Sequence, residues 1–163
     1  MQLSEILSEG EINELVLAPV RIFHLIAEAD DKIDKKEIKS FEYFLANAKK
    51  LDSELSLFCF NKVSNMSQLE ELKSLSKIGN RESLRYISGF LGRKVEREIA
   101  IDYKITLIAL GYYIAFSSGS FLAHKVSDDE SDVLSSICKD LDLSYRELLS
   151  SNQIQKILDK ISE

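Results

Sequence analysis

Ile105-Thr106-Leu107-Ile108-Ala109-Leu110-Gly111-Tyr112-Tyr113-Ile114-Ala115-Phe116 is the most apolar run of the chain. Its twelve residues fall short of the about 20 that a bilayer span requires. The helical pattern around it extends from Lys94 to about Ser117, and from Ile105 onward it is apolar nearly all round. A helix without a polar face is enclosed by other helices. This segment is therefore predicted to be the buried centre of an all-α bundle.

The flanking sequence supplies the enclosing helices. Ile12, Leu15, Val16, Pro19, Ile22, Phe23 and Ile26 recur at helical spacing, behind a start in which Ser8 caps, Glu11 reaches back and Leu7 staples to Ile12. Pro19 inside that pattern predicts a kink or a break into two helices near Ala18. Asp34 and Glu37 repeat the capping device, with Ile33 stapled to Ile38 and an inward face of Ile38, Phe41, Phe44, Leu45 and Ala48. Leu55, Phe58 and Cys59 suggest one further piece. Leu69, Leu72 and Leu75 suggest another behind a Ser67/Glu70 capping box, and Asn80 caps a third carrying Leu84, Ile87 and Leu91. After a loop at Ser117-Ser118-Gly119-Ser120, Ser127-Asp128-Asp129-Glu130 opens a helix with Val133, Leu134, Ile137, Cys138 and Leu141 inward. A capping box at Ser144/Glu147 and an amphipathic piece with Ile154, Ile157, Leu158 and Ile161 complete the chain. The expectation is one domain over 1–163, a helical bundle of about eight to ten helices.

Composition narrows the function. With 163 residues, 45% apolar and 29% charged, the chain has the profile of a globular domain with a substantial core. One proline and six glycines are few punctuation points for a many-stranded fold. The net charge of −6 and pI near 5.1 disfavour binding to a phosphate backbone, so nucleic acid is not an expected partner. No leader segment is visible, and Cys59 and Cys138 lack metal-ligand neighbours; reduced core thiols and a cytoplasmic location are expected.

The functional question centres on Ala27-Glu28-Ala29-Asp30-Asp31-Lys32-Ile33-Asp34-Lys35-Lys36-Glu37. An acidic corner between two helices can be a capping device, a cation site or a docking surface. Asp34 and Glu37 are explained by capping, and Ser127 and Glu130 likewise. Asp30 and Asp31 are not, because they lie where the helix dipole disfavours negative charge. A hard cation could gather oxygens from Asp30, Asp34 and Glu37 across the short loop. EF-hand spacing is absent, since Lys35 falls at the glycine position and Phe41 at the bidentate glutamate.

This stretch resembles the signature of the TerB-like family, the tellurite-resistance TerB domains and their relatives. That signature is an alanine-rich helix end, an Asp-Gly pair and an acid opening the next helix. Lys125-Val126-Ser127-Asp128-Asp129-Glu130 is similar to the corner of a second half, and Leu141-Asp142-Leu143-Ser144 to the family's Leu-Gly-Leu-Ser segment. The resemblance covers roughly residues 12–149 and implies two pseudo-repeated helical halves. It also implies a role in stress or tellurite resistance, often near membrane-protein partners. Carried over by position, it implies a divalent cation, Ca²⁺ or Mg²⁺, on Asp30, Asp34, Glu37 and Glu130. Asp31 departs from the family's glycine, Ser118-Gly119 replaces the second Asp-Gly pair, and extra residues including His124 precede Val126.

Catalytic signatures are missing. No His-Glu-x-x-His, Glu-x-x-His or glycine-rich phosphate loop occurs. His24 reads as a partly buried structural residue and His124 as a loop residue. Arg81, Arg85, Arg93, Lys94, Arg97 and Lys104, interleaved with acids, read as a solvated helix face. Asp128–Asp142 carries six acids against one lysine, an acidic surface able to steer a basic partner. The sequence thus predicts a non-enzymatic adaptor that engages a protein partner through an acidic surface and does not itself insert into a membrane. A metal-free interaction domain is the competing reading, and an enzyme using paired carboxylates as acid and base is the third.

Overall fold

The computed structural model describes residues 2–29, 34–62, 65–118 and 128–163. Ten α-helices and one 3-10 turn follow along these residues, with no strand among them. They are α1 (Leu3–Ile6), α2 (Glu9–Glu28), α3 (Lys35–Asn47), the turn Ala48–Lys50, α4 (Glu54–Phe60) and α5 (Met66–Ser74). Then come α6 (Asn80–Lys94), α7 (Arg97–Ser118), α8 (Asp128–Asp140), α9 (Tyr145–Ser150) and α10 (Gln153–Ser162).

Helix α7 occupies the centre, as its all-round apolar pattern predicts. It packs against α2, α3, α4, α6, α8 and α10. Tyr103, Leu107, Ile108, Leu110 and Ile114 are fully buried. Because the helix extends beyond the apolar run, Arg97–Phe116 is long and apolar enough to cross a bilayer on length and composition alone. Here 67% of that window is buried in the bundle. Aromatic contacts join the neighbours: Phe23 of α2 meets Phe41 of α3 at 5.2 Å between ring centroids, and Phe44 of α3 meets Phe60 of α4 at 5.9 Å. At Gly111, α7 comes close to both α2 and α8. A Cβ there would lie 3.0 Å from Leu134 Cδ2 on α8 and 3.2 Å from Ile22 Cγ2 on α2.

The break expected near Ala18 does not occur. Helix α2 runs unbroken from Glu9 to Glu28 with Pro19 inside it. Proline has no N–H for the carbonyl four residues earlier, here Leu15. That donor comes from α7 instead: the buried Tyr103 hydroxyl donates to the Leu15 carbonyl at 2.5 Å. Burial pushes the Tyr103 hydroxyl well above its ordinary 10.0, with the Cys59 thiol beside it adding to the shift. The hydroxyl therefore stays protonated, and remains a donor, across the neutral range.

Other boundaries move for identifiable reasons. Lys94 ends α6 and α7 starts at Arg97, so the long helix does not begin at Lys94. Its amine is used by Glu11, at 2.9 Å from Oε1. The Ser67/Glu70 box does not form. Asn65 caps α5 by accepting from the Gln68 N–H at 3.0 Å, and Glu70 pairs with His24. Gly79 rather than Asn80 is the N-cap of α6, because the Asn80 amide oxygen accepts from Arg21 at 3.2 Å. Cys59 and Cys138 are free and buried, and burial pushes both thiols up to about 12.

Replacing Tyr103 by Phe strands a buried carbonyl, with an expected loss of about 1–3 kcal/mol. Pro19→Ala restores the missing N–H to the helix. Urea denaturation of the two single variants and the double variant should therefore show Tyr103→Phe costing clearly less in the Pro19→Ala background.

Candidate functional site

The capping box expected at Asp34 and Glu37 forms. The Asp34 N–H donates to Glu37 Oε1 at 3.0 Å, and Asp34 Oδ1 accepts from the Lys36 N–H at 2.9 Å, within a reciprocal capping box. Glu37 is 1% exposed. The structure thus brings Asp34 and Glu37 together, on each other's backbone. Asp30, Asp31, Ile33 and His124 lie outside the described residues, as does the Ser127 cap. Glu130 lies in α8, and its side chain is outside the described set. Among the described residues, no three histidine, cysteine or acidic side chains are grouped as a metal would need.

Beside this corner, the C-terminal end of α2 lies against α8 and leaves a groove of about 330 Å³. Leu25, Val133 and Ile137 contribute apolar surface, while Glu28, Asp132 and Arg81 contribute charge. Glu28 and Asp132 are exposed, and neither is ion-paired among the described residues. The last turn of α2 contains no basic residue to offset Glu28, so negative charge accumulates at the end of the helix where the dipole is also negative. Arg81 is committed elsewhere. Its guanidinium forks onto Asp140 at 2.8 and 3.3 Å, Arg85 adds a third bond at 3.2 Å, and Asp140 raises the Arg81 pKa.

Arg81, Arg85, Arg93, Lys94 and Arg97 are exposed, as the solvated-face reading expects, and Lys104 alone departs from it. Arg81 and Arg85 tie α6 to α8, Lys94 ties α6 to α2, and Lys104 is buried at 7% exposure. Long amphipathic side chains can be exposed and still reach a carboxylate on another helix.

Sequence reasoning missed a buried polar cluster between α2, α6 and the connection before α6. Arg21, 1% exposed, donates to Glu14 Oε1 at 3.1 Å, the Ser76 hydroxyl at 2.8 Å and the Ile78 carbonyl at 3.0 Å. The Ser83 hydroxyl donates to the same Glu14 oxygen at 2.5 Å. The signal was there: opposite charges seven residues apart on one helix, with Arg21 set between Val20 and Ile22. Both terminal nitrogens of the Arg21 guanidinium are directed at acceptors within the cluster, which ties α2 to the start of α6, while its Nε–H has no partner among the described residues. At the start of α2, the Ser8 N–H and the Lys94 ammonium hold the Glu11 carboxyl below its ordinary 4.5.

Comparison of the chain with protein-family models, curated proteins and solved structures gave no match. The TerB-like resemblance accordingly stands on the sequence motifs alone.

Arg21→Met would leave Glu14 buried beside one hydroxyl, at an expected cost of about 3–5 kcal/mol. Adding Glu14→Gln should recover part of that loss in chemical denaturation. Because Glu11 is depressed in the fold, its stabilisation is present above 4.5 and is lost as pH falls through the lower folded value. Stability measured from neutral pH into that acid range should decline less steeply in Glu11→Gln than in wild type.

Proposed function

We propose that the chain is a non-catalytic interaction module of the TerB-like kind, acting in a stress or tellurite-resistance type system. Its working surface is the acidic groove between the end of α2 and α8. The observation that carries this reading is the division of labour among the acids. Asp34 and Glu37 satisfy backbone N–H groups at the start of α3, whereas Glu28 and Asp132 stand exposed around apolar surface with no ion pair among the described residues. A carboxylate pair flanking an apolar strip suits the stem and charged head of a lysine or arginine on a protein partner. In this reading the acids of the corner act without a metal, and the protein works in the cytoplasm.

The cation reading makes a different demand. An ion on Asp34 and Glu37 would compete with the backbone N–H groups of Asp34 and Lys36 for the same carboxylates. Calorimetric titration with Ca²⁺, Mg²⁺, Mn²⁺ and Zn²⁺ separates the two. We expect no saturable heat that Asp30→Asn or Glu37→Gln abolishes, while Asp34→Ala costs about 0.5–2 kcal/mol equally with and without chelator. Saturable heat lost in those variants would establish the cation site instead. For the groove, crosslinking in the source cells with wild type and with Glu28→Lys/Asp132→Lys provides the check. The reading requires a crosslinked protein, joined through its basic residues, that is lost from the folded charge-reversed variant.

A further inference from the structure

A second cleft lies near the C-terminal end of α6, lined by the first turns of α7, by α9 and by the connection leading into it. It has a volume of about 700 Å³, within the size range of small-molecule sites. Two cations line the α7 wall. Arg97 and Lys104 are seven residues apart and so share one helix face. Two acids, Asp142 and Glu147, line the facing wall. None of the four forms an ion pair among the described residues. Ile101, Ile105 and Leu148 provide apolar surface between them.

Two of these residues occupy positions that a purely structural role does not favour. Lys104 is 7% exposed, and its amine donates to the Ser88 hydroxyl at 3.0 Å, a neutral partner for a buried cation. Burial lowers its pKa from the ordinary 10.5, and Asp142 offsets this only in part and from beyond ion-pair distance. Asp142 has φ of 60°, the sole positive φ among the described residues other than glycine. It follows α8 in a Schellman turn, with the Leu143 N–H on the Cys138 carbonyl at 2.7 Å and the Asp142 N–H on the Lys139 carbonyl at 3.1 Å. Glycine is the unstrained residue there. The chain instead places a carboxylate at the cleft, facing an under-compensated lysine.

We propose that this cleft binds a free α-amino acid with an apolar side chain. Its carboxylate would lie toward Lys104 and Arg97, its ammonium toward Asp142 and Glu147, and its side chain against Ile101, Ile105 and Leu148. Opposite charges held apart across a cleft complement a ligand that carries both signs a few bonds apart, and a mono-charged ligand leaves one wall unanswered. This assignment is independent of the acidic groove between α2 and α8.

The test is calorimetric titration of the full chain with L-leucine, N-acetyl-L-leucine and L-leucinamide. L-leucine should give saturable heat, and each blocked derivative should bind weaker by about tenfold or more, the worth of one charge-assisted contact. Lys104→Met and Asp142→Gly should each lose binding to a similar degree. Asp142→Gly should also melt above wild type, because glycine relieves the left-handed backbone, so its loss of binding could not come from unfolding. The proposal is overturned if L-leucine gives no saturable heat up to millimolar concentration, if either blocked derivative binds as tightly, or if both variants retain wild-type affinity.

Discussion

A hydroxyl on one helix supplies the hydrogen bond that a proline removes from another, and the centre of the bundle depends on this exchange. Pro19 leaves the Leu15 carbonyl without its helical donor, and Tyr103 of α7 provides one at 2.5 Å. Without it, a buried carbonyl would remain unsatisfied at the junction of the two longest helices, or α2 would have to bend to reach water. The bond thus ties α7 to α2 at the turn where α2 lacks its own hydrogen bond. The apolar faces of Ile22, Phe23 and Ile26 can then meet the buried side of α7 without adjustment.

Around that junction the polar groups connect helices that are distant in sequence. Glu14 and Arg21 join α2 to the start of α6, Glu11 and Lys94 join α2 to its end, and Asp140 collects two arginines of α6 onto α8. Each link uses a charged group whose partner lies on another element. Their value for the fold is directional more than energetic, since a buried ion pair offsets its own desolvation only partly. They select one arrangement of α2, α6 and α8 out of the several that apolar packing alone would tolerate.

The features legible in the sequence are those set by neighbours within a turn or two. The all-round apolar pattern of Ile105–Phe116 reveals a central helix because it leaves no face for water. The Ser8/Glu11 and Asp34/Glu37 boxes are legible because capping acts over three residues. Pro19 misleads for the converse reason, since its remedy is a tyrosine 84 positions away. Asn80 has the composition of a cap, but Arg21 takes its side chain through a contact that spacing does not encode. The same holds for the sites. Asp34 and Glu37 could be read locally as helix-start residues, while the exposure of Glu28 beside Asp132, and the facing of Lys104 by Asp142, follow only from how helices are laid against one another.

Gly111 acts as a calliper on that arrangement. It lets Leu134 of α8 and Ile22 of α2 close to 3.0 and 3.2 Å of where a methyl group would sit. The separation of α2 and α8 is therefore measured at the core by a missing side chain, and the width of the acidic groove between them follows from it. A buried residue with no side chain thus sets how closely the two helices that carry Glu28 and Asp132 can approach α7. Changes in what the groove accepts can thus originate in the interior, with every groove residue unaltered.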